Sequence, residues 1–325
     1  MEYTRLGGSG LRVSRIVLGC MSFGDPGRGT HSWSLGKDEA RPLVRAAIEA
    51  GITTFDTANS YSLGDSEVLT GALLGEFAKR DEVIIATKVY GRMGEGPKES
   101  GLSRAAIHAQ ADASLRRLGT DHIDLYQIHR YDPEVPVEET MEALHDLVRA
   151  GKVRYLGASS MWTWQFALAQ HAADLNGWTR FVSMQNQYNL LMREEEREML
   201  PYCLDQGVGV LPWSPLARGR LAREPETATR RSASDAFGSR LYRQAVESDR
   251  EVIDVVGAVA AERGVSRAQV ALAWLLHREP VTAPIVGVTG DHHLSEAVAA
   301  VDLDLTDDEV ARLAAPYVPR LPEGF

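Results

Sequence analysis

The chain has 325 residues, 44% hydrophobic and 25% charged, which is ordinary globular composition. A net charge of −10 with no basic stripe argues against a nucleic-acid partner. No apolar run reaches membrane-span length, so no membrane partner is expected, and the N-terminus lacks the charged-then-apolar layout of a signal peptide. Cys20 and Cys203 lie far apart without metal-ligand spacing, so reduced cytoplasmic thiols are expected.

Residues 2–17 alternate weakly around Gly7-Gly8-Ser9-Gly10, the pattern of a β-hairpin with a glycine turn. A first strand over 15–19 leads into the exit loop Cys20-Met21-Ser22-Phe23-Gly24 and a glycine-rich stretch over 25–36. Apolar residues at helical spacing over 37–50, stopped by Gly51, complete a first βα unit. A second strand ends at Asp56, and a helix follows over 65–77. A third strand over 82–87 terminates at Lys88. The next helix has Ser103 as N-cap, Ile107, Ala111, Leu115 and Leu118 on one face, and Gly119 as its stop. The fourth strand, 123–128, terminates at His129 and precedes a helix over 136–150. Strands over 152–158, 181–184 and 208–212 alternate with helices over 162–175 and 194–206. A polar, Arg-rich insertion covers roughly 218–247. Helices near 248–263 and 266–278, an eighth strand over 282–286, a helix over 292–301 and a short helix opened by a capping box at 305–309 finish the chain.

Eight βα units without a repeated period predict an α/β fold. The expected architecture is a (β/α)8 TIM barrel with an N-terminal β-hairpin and a C-terminal helix, one domain over 1–325. An open doubly wound sheet would want Gly-x-Gly-x-x-Gly after the first strand, and Leu18-Gly19-Cys20-Met21-Ser22-Phe23-Gly24 does not supply it.

In such a barrel the C-terminal strand ends share one face, where active sites form. Three successive strands deliver Asp56, Lys88 and His129 there, and Tyr61 lies in the loop after Asp56. A tyrosine donates a proton near neutral pH only with a cation beside it to favour the phenolate. Lys88 can be that cation, Asp56 can hold the ammonium, and His129 can donate a hydrogen bond into the same pocket. Together they make a donor site for a carbonyl oxygen that becomes an alkoxide. Singly, each residue has an ordinary explanation as a cap, a solvated charge, packing or a satisfied core group. Jointly, at the ends of consecutive strands, they point to chemistry.

The order and spacing of Asp56, Tyr61, Lys88 and His129 resemble the tetrad of the aldo-keto reductases, and the resemblance covers essentially the whole chain. The long strand-seven loop is similar to that of bacterial members. The resemblance implies NADPH-dependent (NADP+-forming) reduction of an aldehyde or ketone to an alcohol, with Tyr61 as general acid. It implies that Ser159 and Gln185 hold the nicotinamide carboxamide and that Trp213 stacks on the nicotinamide ring. Ser214, Leu216 and Gly219 would bind the pyrophosphate; Gly287, Thr289, His293 and Glu296 would bind the adenosine phosphate. Cys20, Met21 and Asp56 join the cofactor set, as do Arg220, Arg230 and Arg231 from an insertion read as a strap over the phosphates. Trp33, Tyr61 and His129 are expected to touch a small-molecule carbonyl substrate. The chain departs from the common family pattern at Ser160, Val288 and His293, where many members carry Asn, Lys, and Arg or Gln.

The alternatives are a cofactor-binding redox sensor and a sugar-phosphate-related activity on the same barrel. A metal-dependent hydrolase would need clustered histidines at strand ends. The close pair His292-His293 falls at a helix start, so no metal is expected.

Overall fold

The computed structural model describes residues 1–28, 32–224, 238, 241–242 and 246–322. Arg230, Arg231 and most of the insertion lie outside the described residues. The expected hairpin is β1 (Tyr3–Arg5) and β2 (Arg12–Ser14), antiparallel with Tyr3 opposite Ser14. Eight short apolar runs then form one parallel sheet. They are β3 (Val17–Gly19), β4 (Thr54–Asp56), β5 (Ile84–Val89), β6 (Ile123–Ile128), β7 (Val153–Ser159), β8 (Phe181–Gln185), β9 (Gly209–Val210) and β10 (Ile285–Gly287). β3 to β9 pair in sequence order, and β10 pairs with β3. The circle closes where Thr282 N–H donates to Val210 O at 2.8 Å and Ile285 N–H donates to Pro212 O at 2.9 Å. The result is the (β/α)8 barrel expected.

The helices are α1 (Lys37–Glu49), α2 (Asp65–Phe77), α3 (Arg104–Leu118), α4 (Val137–Arg149), α5 (Thr163–Asn176), α6 (Met199–Asp205), α7 (Val246–Arg263), α8 (Arg267–Leu276), α9 (Asp291–Ala299) and α10 (Asp307–Ala314). Local chemistry fixes their ends. Ser103 caps α3 by accepting from Ala106 N–H, and Ser266 and Thr306 open α8 and α10 with reciprocal Gln269 and Glu309 contacts. The helix expected over 194–206 is split into a 3₁₀ turn, Glu194–Glu196, and the short α6. Pro201 explains the break: a continuous helix would set its ring against the carbonyl of Arg197. Among the described residues, no helix is long and apolar enough to cross a membrane.

Alternation along the strands builds the barrel interior in layers. Val17, Ala86, Leu125, Leu211, Ala283 and Ile285 pack with Leu6 and Val13 of the hairpin. The hairpin can close the barrel floor because Gly7 has no side chain. Its φ is +56°, and a Cβ there would stand 2.4 Å from Gly207 O. Two residues further along the same strands, the interior turns polar: Lys88 follows Ala86, and Gln127 follows Leu125. That polar layer is where the site begins.

Candidate active site

Asp56 ends β4, Lys88 is the penultimate residue of β5, and His129 directly follows β6. The strand register therefore places all three at one end of the barrel. Parallel pairing sets Asp56 beside Ala86 and Lys88 beside Gln127, and His129 N–H donates to Val89 O at 2.8 Å. The loop carrying Tyr61 is tied down at its start. Thr57 N–H donates to Ala86 O at 2.9 Å, and Thr57 Oγ1 bonds Ser66 Oγ at 2.8 Å, which donates to Cys20 O. Past Tyr61, Ser62 and Leu63 hold φ of 47° and 51°. Left-handed backbone in non-glycine residues costs about 1–3 kcal/mol each and concentrates at functional positions.

The four side chains meet. Lys88 Nζ forms a very short ion pair with Asp56 Oδ1, and it donates to Thr57 O at 2.9 Å and to the Tyr61 hydroxyl at 3.3 Å. The Lys88 side chain has no exposed surface. Burial alone would lower its pKa, yet the Asp56 carboxylate and Tyr61 outweigh burial and hold it above the ordinary lysine value. The Tyr61 and His129 rings meet edge to face, with centroids 5.7 Å apart. Burial, then the Lys88 and Arg130 charges, push the His129 pKa well below the ordinary histidine value, so its ring is neutral. The site thus offers one buried ammonium, a phenol beside it and a neutral imidazole facing the phenol.

A second group of expected residues adjoins the first. Gln185, at the end of β8, donates from Nε2 to Asp56 Oδ2 at 2.9 Å. Ser159 Oγ lies 3.3 Å from Ser160 Oγ, which accepts from Trp213 Nε1 at 2.9 Å. Trp213 is half-buried, and its backbone N–H donates to Asn186 O at 2.9 Å. Ser214 has φ of 52°, and its carbonyl accepts from Asn189 Nδ2 at 2.9 Å. Leu216 O accepts from Gly219 N–H, and the Arg220 guanidinium lies over the Tyr242 ring at 5.2 Å.

The remaining expected residues lie on the strand exits and loops of β3 and β10 and on α9, with Cys20 next to Asp56 through the Gly19–Asp56 pairing. Gly287 ends β10, and a side chain there would meet nothing within 4 Å. Thr289 N–H donates to His293 Nδ1 at 3.3 Å, and Glu296 sits one turn further along α9. Met21 and Glu296 are half-buried, and Trp33 is buried. Cys20 is wholly buried, its thiol turned to Leu18 O at 3.6 Å. Among the described residues, no group of three or more His, Cys, Asp or Glu could hold a metal ion.

The sequence reading passed over two residues. Gln127 donates from Nε2 to Asp56 Oδ2 at 2.9 Å, and Arg130 donates from Nη1 to His129 O at 2.7 Å. Strand alternation was the signal for the first: Gln127 is two residues before His129 and shares its face.

The sequence matches the model of the aldo/keto reductase family over residues 15–317. The chain belongs to the aldo/keto reductase family. Versiconal hemiacetal acetate reductase of Aspergillus parasiticus is 48% identical, over 98% of this chain and 98% of the relative. Aldo-keto reductases of Fusarium vanettenii and Alternaria alternata are 46% and 45% identical, over 100% and 99% of this chain and 93% of each relative. These relatives are fungal and give no support to the bacterial branch expected from the strand-seven loop. The protein is an oxidoreductase enzyme of a family that reduces carbonyl compounds with a nicotinamide cofactor.

Proposed function

We propose that this protein reduces an aldehyde or ketone to an alcohol with NADPH, Tyr61 serving as the general acid. The observation that carries this reading is the Tyr61 hydroxyl 3.3 Å from a fully buried Lys88 ammonium that Asp56 offsets. A buried cation beside the phenol stabilises the phenolate left after proton donation. Neutral His129 orients the carbonyl oxygen by donating a hydrogen bond and adds no second charge. Reduced nicotinamide, when bound, supplies the hydride.

The residues present fit that cofactor. Gln185 and Ser159 would hold the carboxamide, and Trp213, pinned at its indole N–H by Ser160, offers the nicotinamide a ring face. Ser214, Leu216, Gly219 and Arg220 would meet the pyrophosphate, with Met21 and the backbone of Cys20 at the neighbouring strand exit. Gly287, Thr289, His293 and Glu296 would take the adenosine end. There the N-terminus of α9 offers backbone N–H groups to the phosphate that distinguishes NADPH from NADH. Arg230 and Arg231 are proposed as further phosphate contacts, and Trp33 as a substrate contact.

The Aspergillus parasiticus relative is named for a hemiacetal acetate, a masked aldehyde, which supports an aldehyde-level carbonyl as substrate here. Two free, buried cysteines support a reducing, cytoplasmic setting. The test is a panel of aldehydes and ketones with NADPH and with NADH, following loss of reduced-nicotinamide absorbance. Tyr61→Phe should keep cofactor affinity and lose about 10²–10⁴-fold in turnover. Turnover within a few-fold of wild type rejects Tyr61 as the acid, and equal specificity constants for the two cofactors reject the phosphate site.

A further inference from the structure

Gln127 stands on β6, fully buried in the polar layer of the barrel. Its Nε2 donates to Asp56 Oδ2 at 2.9 Å, and its Oε1 accepts from Gln185 Nε2 at 3.1 Å. Gln185 Nε2 donates to that same Asp56 oxygen at 2.9 Å. Three side chains from β4, β6 and β8 therefore close a ring of hydrogen bonds on Asp56 Oδ2, while Oδ1 holds Lys88.

The ring fixes amide orientations that the sequence leaves open. An ionised carboxylate accepts and cannot donate, so both amides must turn their NH2 groups to Asp56. Gln185 then has both amide protons engaged, one on Asp56 and one on Gln127. Its Oε1 has no hydrogen-bond partner among the described residues and is offered as an acceptor only. An acceptor held in that way suits a ligand that presents an amide N–H.

We infer that Gln127 is a positioning residue that couples the two halves of the site. It holds Gln185 as an acceptor for the cofactor's carboxamide, and it holds Asp56 in its pairing with Lys88. The cofactor and proton-transfer roles rest on the function proposed above; the hydrogen-bond ring does not. Without Gln127, one Gln185 proton loses its acceptor inside the barrel and the amide can rotate. Asp56 Oδ2 keeps one donor where it had two. Cofactor affinity and turnover should then fall together, although Gln127 touches neither Lys88 nor Tyr61.

Two substitutions in the full chain test this: Gln127→Leu and Gln127→Glu. The first removes both hydrogen bonds. The second is isosteric. While protonated, the introduced carboxyl donates to Asp56 and accepts from Gln185 as the amide does. Once ionised, it sets a second anion against Asp56; burial and that charge raise its pKa, and the Lys88 ammonium on the paired strand offsets part of the rise, which leaves it in an accessible range. NADPH binding is read by quenching of protein fluorescence, and turnover by nicotinamide absorbance. Both run from pH 5.5 to 8.5 and are expressed as ratios to wild type at the same pH.

Gln127→Leu should raise the NADPH dissociation constant about tenfold at every pH, the loss expected for one hydrogen bond in a buried charged network. Gln127→Glu should approach wild type at the acid end and fall toward the leucine variant as pH rises. A merely structural role would lower both variants alike at all pH values. The inference is overturned if Gln127→Leu binds NADPH within twofold of wild type, or if the two variants are indistinguishable at every pH. It is also overturned if wild type does not bind NADPH. Should the leucine variant fail to fold, the pH series of Gln127→Glu decides by itself. If wild type binds NADPH but reduces no carbonyl in the panel, the proposed activity fails, while the binding arm still decides for or against Gln127.

Discussion

Replacing Asp56 by Asn removes one charge and almost no volume, which isolates the electrostatic role of the carboxylate. In the folded chain the Lys88 ammonium has no exposed surface, and its other partners are Thr57 O at 2.9 Å and the Tyr61 hydroxyl at 3.3 Å. An asparagine can satisfy Gln127 and Gln185 only through its Oδ1. Its NH2 group then faces the ammonium, donor against donor. Removing one partner of a buried ion pair costs about 3–5 kcal/mol. That is a large share of the roughly 5–15 kcal/mol that holds a typical domain together.

The pH dependence separates this cost from generic damage. In wild type the folded pKa of Lys88 is raised. Its stabilisation is therefore fully present below the unfolded value of about 10.4 and lost only as pH rises through the folded value. In Asp56→Asn, burial, the largest influence on Lys88, is opposed by Tyr61 alone, and the folded value drops below the unfolded one. The unfolded chain then binds more protons, so the variant regains stability with rising pH, by up to about 1.4 kcal/mol per unit. Urea unfolding followed by circular dichroism from pH 6 to 9.5 measures the deficit against wild type. A midpoint equal to wild type, or a deficit constant across that range, refutes the reasoning.

Three further outcomes are expected. Trp213→Ala should weaken NADPH binding roughly three- to tenfold without moving the pH profile, since an indole contributes ring contact and no titrating group; an unchanged fluorescence titration would make Trp213 packing only. His129 is held neutral by burial and by the neighbouring charges of Lys88 and Arg130, so its folded pKa is depressed. The unfolded chain takes up a proton first as pH falls below about 6.5, and stability is lost there. His129→Gln should flatten that loss in urea titrations, and an unchanged acid limb would show that His129 does not cause it. Burial pushes the Cys20 and Cys203 thiols up to about 12. Neither should react with iodoacetamide at pH 8 until the chain is unfolded in urea, and mass spectrometry showing alkylation of native protein would contradict this.

The sequence by itself determined the architecture and the four proposed catalytic residues. Its eight apolar runs alternate with helical periods, and the polar residues Asp56, Lys88 and His129 terminate three successive runs. Parallel strands in a barrel share one functional end, so order along the chain was enough to group them. Boundaries were less legible. The helix expected over 194–206 ignored Pro201, whose ring cannot follow the Arg197 carbonyl in a helix. Strand seven came out as only Gly209–Val210, because Pro212 donates no backbone hydrogen bond.

The tertiary structure decided which polar groups are partners inside the barrel. Alternation from His129 is enough to turn Gln127 inward, but it names no partner. Gln185 is 58 positions away on β8, and β7 lies between their strands. The approach is possible because β7 carries Gly157 at that level. A Cβ there would stand 2.5 Å from Ser183 Oγ and 2.9 Å from Gln127 Cγ, so any side chain would fill the space Gln127 crosses to reach Gln185. Periodicity fixes the face on which a residue sits. Contact across the barrel depends on the volume left by the strand between, which exists only once the sheet has closed.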